Sequence, residues 1–256
     1  MSTIPNEHAD IPENSGKKGV IHLSLQGKGG VGKSLVASIV AQYYTERGAD
    51  VKCIDTDPVN QTLSQYKALN ATHLKLLVSG NIDQRGFDDL MERLLTEEGV
   101  FVVDSGASTF IPLWSYIIEN HALELLQNAG RLLYVHTVIT GGQALADTLK
   151  GFGSLAESTS QRNLVVWINE YFGRVEREGK QFVDMAVCKE NAEKIFGWIL
   201  LPKRHQDTFG RDFEEVISRK LTMEQGILDG PFTLMSKQRI RMIQRDVFEQ
   251  LDALAF

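Results

Sequence analysis

The stretch GKGGVGKS, Gly27 to Ser34, restricts the possible folds of this chain more than anything else in it. It satisfies G-x-x-x-x-G-K-[ST], and its surroundings suit that motif. VIHLSLQ (20–26) alternates as a strand does. SLVASIVAQYYTERG then puts Leu35, Val36, Ile39, Val40 and Tyr43 at the spacing of one helix face. With Gly27, Gly29, Gly30 and Gly32 lacking side chains, successive backbone N–H groups, that of Val31 included, can turn inward around phosphate oxygens. The following helix adds the positive end of its dipole. Lys33 is then expected to reach the β- and γ-phosphates of a nucleotide, and the Ser34 hydroxyl to ligate Mg2+. One residue is left over: the motif needs a single lysine, and Lys28 is a second.

The rest of the chain repeats the strand–helix alternation. VKCID (51–55), VFVVD (100–104), RLLYVHTVI (131–139), LVVWIN (164–169) and KIFGWILLP (194–202) read as strands. Between them FDDLMERLLTEEG reads as a helix closed by Gly99, FIPLWSYIIENHALELLQ as another, and GQALADTLKGF as a third. Such alternation predicts βαβ units: a single three-layer α/β domain over residues 19–256, with a mostly parallel twisted sheet of about seven strands and helices on both faces. Residues 1–18 are polar and are expected to form a flexible leader, neither signal peptide nor membrane span.

Three acids fall where such a sheet meets its ligand, at the carboxyl ends of strands. In IDTDP, Asp57 is the candidate for orienting an attacking water, and Asp55 for a magnesium-linked or structural role. VFVVDSG is four apolar residues and an acid, a Walker B pattern. Asp104 is expected to hold Mg2+ through water, and the Gly106 N–H to sense the γ-phosphate. Cys53 and Cys188 belong to no C-x-x-C pair, so no zinc site is readable, and a reducing, intracellular setting is expected. His136, in RLLYVHTVI, reads as a structural residue, and Trp114, Trp167 and Trp198 as core or interface anchors.

A lysine directly before the double glycine makes KGGVGKS similar to the deviant Walker A motif of the MinD/ParA class of ATPases. That resemblance implies that Lys33 works in cis while Lys28 reaches across an ATP-bridged homodimer to the partner's phosphates. It also implies that Asn169, ending LVVWIN, pairs with the adenine, and that Pro202 starts a loop beside the base. The phrases LQGKGGVGKS, CIDTDPVNQT, DSGAS, HTVITGGQALADT, VVWINEYFG and GRDF, in this order, resemble the TraL proteins encoded by conjugative plasmids. The resemblance implies a cytoplasmic ATPase of conjugative transfer whose partner is a protein of the transfer apparatus or relaxosome. Two departures from the wider class stand out: Ser105 and Gly106 follow the Walker B acid where a proline pair is common, and VNQT follows D-x-D-P. Both make the hydrolysis rate less predictable than nucleotide binding.

Two other readings compete. A plasmid-partition ATPase would travel on nonspecific DNA, but 27 Lys and Arg against 33 Asp and Glu, a net charge of −6, count against a surface devoted to nucleic acid. The other, from a different functional class, is a nucleotide-responsive scaffold with negligible hydrolysis. The C-terminal SKQRIRMIQRDVFEQLDALAF carries Ile240, Ile243, Val247, Leu251 and Leu254 as one stripe beside Lys237, Arg239, Arg241 and Arg245. A basic amphipathic tail can lie on a membrane, but packing against the sheet is the expected use of this stripe.

Overall fold

The computed structural model describes residues 19–256; the leader expected over 1–18 lies outside the described residues. Seven strands form the central sheet: β1 (Gly19–Ser24), β2 (Val51–Asp55), β3 (Thr72–His73), β4 (Gly99–Asp104), β5 (Arg131–Thr140), β6 (Leu164–Asn169) and β7 (Ile195–Leu201). Their order across the sheet is β7-β6-β5-β1-β4-β2-β3. Every neighbouring pair runs parallel. The expected architecture is thus the observed one. β1 sits at the centre, so the loop that leaves it emerges in the middle of the sheet's carboxyl edge.

Both faces of the sheet are covered, and the strand period of two separates the two cores. Phe101, Val103, Val135, Leu164 and Val166 face one side, and Val102, Tyr134, Val138, Val165 and Trp167 the other. The first side packs under α2 (Gly86–Thr96), α3 (Phe110–Glu119), α4 (Ala122–Asn128) and α5 (Leu145–Ser158). The second packs under α1 (Lys33–Glu46), α6 (Arg211–Ser218), α7 (Met223–Leu228) and α8 (Leu234–Asp252). In α8 the expected stripe is buried: Ile240, Ile243, Val247 and Leu251 meet the core, and Leu254 packs beside them. Its Gln250 accepts from the Leu200 N–H (2.7 Å) and donates to the Leu200 carbonyl (3.1 Å). One side chain therefore satisfies part of the edge of β7, which another chain could otherwise extend.

Two expectations about helices need correction. FIPLWSYIIENHALELLQ is not one helix but two, α3 and α4, because His121 adopts a left-handed conformation (φ 50°) that breaks the ladder. Gly99 does not close α2, which ends at Thr96; it opens β4 instead, at φ 113°.

A buried polar chain crosses the second core. The Trp167 indole N–H donates to His136 Nδ1 (2.9 Å), so His136 carries its proton on Nε2, facing His22 Nδ1 at 2.9 Å. His22 Nε2 in turn lies 2.9 Å from the Tyr44 hydroxyl. Burial holds both imidazoles neutral. It pushes His136 down to about 3 and, with His136 adding to the effect, His22 well below the ordinary histidine range. His136 is thus a satisfied structural residue.

Candidate functional site

The loop of residues 27–32 joins β1 to α1. Gly32 is the residue before α1 and lies at φ 108°, where a side chain is strained; an added Cβ would also sit 3.2 Å from Asn169 Nδ2. Its position therefore requires glycine twice over. Lys33, in the first turn of α1, is buried, and its ammonium donates to the Lys28 carbonyl within the loop (2.9 Å). Burial lowers its pKa, opposed by the nearby carboxylates of Asp104 and Asp57. Ser34 follows on the same turn, half-buried.

Parallel pairing aligns Ser24, Asp104 and Asp55 side by side across β1, β4 and β2. Asp104 is fully buried, and neither carboxylate oxygen has a hydrogen-bond partner. Burial pushes its carboxyl up to about 7, with Asp55 and Asp57 adding to the rise. The Ser34 hydroxyl and Lys33 oppose it, although Ser34 stands outside hydrogen-bond geometry. A buried carboxylate without a partner is costly on its own. Beside a hydroxyl and an ammonium, it is a group waiting for a cation or an ordered water.

The other two acids are already employed. Asp55 accepts from the Asp57 N–H (3.0 Å) with one oxygen and from the Ser64 N–H (2.9 Å) with the other. Asp57 Oδ1 accepts from the N–H groups of Val59 (2.9 Å) and Asn60 (3.2 Å), and Oδ2 from the Asn60 amide (3.1 Å). Asp55 thereby shapes the loop after β2. Asp57 Oδ2 retains acceptor capacity. Gly106 lies against Asp57: a Cβ there would come 2.7 Å from the Asp57 Cγ. The missing side chain at Gly106 is what lets the two loops touch.

Across the phosphate loop, Asn169 ends β6 and Pro202 follows the last residue of β7. A cavity of about 500 Å3 opens there, lined by Val31, Leu35, Asn169, Tyr171, Pro202 and Phe209 among others. It is of a size that suits a nucleoside. Asn169 is anchored on both sides, donating to the Val31 carbonyl (3.0 Å) and accepting from the Tyr171 N–H (3.1 Å). One N–H and one lone pair of its amide remain for a ligand.

Lys28 behaves unlike Lys33. It projects from the loop, its side chain 44% exposed, and its partner is a surface carboxylate, Asp147 on α5, at 2.7 Å. Lys28 in turn holds the Asp147 carboxyl below its ordinary range. The sequence reading passed over Asp147, which has no motif of its own and reaches the loop only because α5 packs on β5, the strand next to β1. It also passed over Tyr171 and Phe209, ordinary loop aromatics until the cavity gathers them.

The chain matches the CbiA family, the CobQ/CobB/MinD/ParA nucleotide binding domain, over residues 24–215. It is 45% identical over 236 residues to a Protein TraL of Escherichia coli, covering 92% of this chain and 98% of the relative. The chain belongs to the TraL family. A second Protein TraL of that organism is 43% identical over the same coverage. Among solved structures, the TraL-family fold resembles a chain of the MinC:MinD cell division protein complex of Aquifex aeolicus. The TM-score is 0.53 at 18% identity, covering 88% of this chain and 93% of that one. A ParA family ATPase from Chlorobium tepidum TLS gives a TM-score of 0.53 at 14% identity, covering 89% and 97%. At these identities the likeness is one of fold. The TraL-family chain is therefore a MinD/ParA-type nucleotide-binding domain.

Proposed function

We propose that this TraL-family protein is an ATP-dependent switch of conjugative plasmid transfer, working in the cytoplasm. Mg-ATP closes two copies into a homodimer that recruits or positions a component of the transfer apparatus or relaxosome. Weak hydrolysis to ADP and phosphate then releases it. The observation that carries this reading is the different setting of the two lysines. Lys33 is buried within its own loop, whereas Lys28 is exposed and held only by a surface ion pair, free to serve a phosphate outside its own site. A compact ammonium on a long stem suits that reach.

Within one subunit the loop N–H groups from Lys28 to Gly32 and the Lys33 ammonium would hold the triphosphate. Asn169 and the wall beginning at Pro202 would hold the base. The unpartnered Asp104 carboxylate fits Mg2+ through water, with Ser34 as the direct ligand; the cation would neutralise charge developing on the phosphates. Among the described residues no cluster of three or more His, Cys, Asp or Glu side chains is assembled for a metal. The remaining ligands would therefore come from water and the nucleotide. Asp57 Oδ2 would orient the attacking water, and the Gly106 N–H would donate toward the γ-phosphate. Asp55 would act through the loop it shapes.

The DNA-riding alternative has less support. The arginines of α8 are largely engaged, Arg239 with Asp212 and Arg245 with Glu249, and Arg204 nearby with Asp246. No helix among the described residues is long and apolar enough to cross a membrane, and the stripe of α8 is spent on the core. The test is solution mass by light scattering of Asp57→Asn, which keeps an acceptor for the Val59 and Asn60 N–H groups. A dimer with Mg-ATP and a monomer with Mg-ADP are expected, and Lys28→Ala should bind ATP yet hydrolyse it poorly. A monomer with both nucleotides, binding having been verified by calorimetry, would overturn the switch and leave the scaffold.

A further inference from the structure

Gln26, the residue before the phosphate loop, is no part of the G-x-x-x-x-G-K-[ST] pattern, yet it is completely buried. Its Oε1 accepts the N–H of Gly27, the first residue of the loop (2.8 Å). Its Nε2 points the other way, toward the Val138 carbonyl at the end of β5 (3.1 Å), the Thr148 carbonyl in the first turn of α5 (3.2 Å) and the Thr137 hydroxyl (3.4 Å). The amide reaches so far toward α5 that a Cβ at Gly151 would lie 2.0 Å from Gln26 Oε1. Gly151 is thus the opening in α5 through which Gln26 fits. A single amide therefore joins the phosphate loop, through its acceptor, to the helix that carries Asp147, through its donor. Asp147 is the residue that holds Lys28.

We infer that Gln26 is a positioning residue that couples the phosphate loop to α5, so that filling the loop with nucleotide shifts the Lys28–Asp147 end of that helix. This rests on the nucleotide-switch reading above. The physical basis is the rigidity of the connection. An amide has a donor end and an acceptor end that cannot move independently, and a buried polar group cannot let go of one partner without leaving it unsatisfied. When phosphate oxygens draw the loop N–H groups inward, Gly27 pulls on Oε1, and Nε2 transmits the displacement to Thr148. Two substitutions separate the ends. Gln26→Glu keeps an oxygen for the Gly27 N–H but, once ionised, faces the Val138 and Thr148 carbonyls with a second oxygen that cannot donate, so the helix side alone is lost. Burial raises such a carboxyl's pKa, and exchange is therefore read at a pH that ionises it. Gln26→Met fills a similar volume and loses both sides.

Backbone hydrogen exchange, read by mass spectrometry with and without Mg-ADP, tests the coupling, because Mg-ADP avoids any contribution from a dimer. In the wild-type chain nucleotide should slow exchange at residues 27–33 and also at residues 145–151, the latter by about fivefold, the factor that one net hydrogen bond contributes. In Gln26→Glu the slowing at 27–33 should persist while that at 145–151 disappears; in Gln26→Met both should shrink. A merely structural role would change exchange equally with and without nucleotide. If wild-type residues 145–151 do not respond while 27–33 do, the coupling is refuted without recourse to any variant, and the same holds if Gln26→Glu responds as wild type does. If 27–33 do not respond in the wild type, the nucleotide reading itself falls and takes the coupling with it.

Discussion

Replacing Gly106 with alanine tests how tightly the loops after β2 and β4 are fitted together. The backbone tolerates the change, since Gly106 is not among the positive-φ glycines. The obstacle is Asp57: the new methyl would lie 2.7 Å from its Cγ and Oδ1, and 3.1 Å from its Cβ. Asp57 cannot swing aside freely, because its carboxylate accepts three hydrogen bonds from Val59 and Asn60. Overpacking of this kind costs about 1–3 kcal/mol. Moving Asp57 instead gives up at least one charge-assisted hydrogen bond, about 1.5–3 kcal/mol. By either route the expected loss is about 2 kcal/mol, or a Tm lower by roughly 4–8 °C in a chain of this size. Thermal and urea unfolding would measure it, with Gly153→Ala as control. That glycine lies within α5, its added Cβ meets only Val187 at an ordinary 3.6 Å, and it should gain about 0.5–1 kcal/mol. Combined with Asp57→Ala, the Gly106→Ala loss should shrink, since most of the clash is with atoms that Asp57→Ala removes. A Gly106→Ala protein as stable as wild type would mean that the two loops do not bear on each other, and the role given to Gly106 would go with it.

Three further outcomes follow from the same structure. Because burial lifts Asp104 to about 7, binding of Mg-nucleotide should strengthen as pH rises through that value and release a proton; Asp104→Asn should abolish both effects in calorimetry run in buffers of different ionisation enthalpy. In that same Asp104→Asn background, which removes an opposing titration, stability should fall as pH drops from about 6.5 toward 3. His22 and His136 have folded pKa values below the unfolded one, so over that window the unfolded chain binds more protons; a flat urea-midpoint profile would contradict the buried chain. Gln250→Ala should leave the Leu200 N–H and C=O unpaired on the edge of β7 and increase concentration-dependent self-association by light scattering, where no increase would show the edge to be protected by other means.

How much of this was legible beforehand varies by residue. The P-loop, the acids ending β2 and β4, and the burial of the α8 stripe depend on short-range spacing, and spacing is what a sequence displays. The break between α3 and α4 was not legible, because nothing in ENHALE marks His121 for a left-handed conformation; histidine occupies it here in the company of its neighbours. Asn169 illustrates a middle case. Its place at a strand end could be read, but its attachment to Val31 required two distant segments to be brought side by side. Gln26 lies at the far end of that scale. Its neighbours in the chain explain nothing about it, and its partners at Thr137, Val138 and Thr148 are all far away in sequence.

The sequence by itself determined which loop carries the glycine pattern that suits phosphate, which strands would alternate with helices, and which family the chain resembles. Glycine placement, apolar periodicity and strand-ending acids are local consequences of backbone sterics and burial. The tertiary structure alone decided how each polar side chain is employed. It left Asp104 without a partner, gave Asp55 and Asp57 to their own loop, set Lys28 against Asp147, and ran Gln26 from the phosphate loop into α5. These outcomes depend on which donors and acceptors remain after the parallel sheet has brought the ends of its strands together, and that accounting has no counterpart in the linear order of residues.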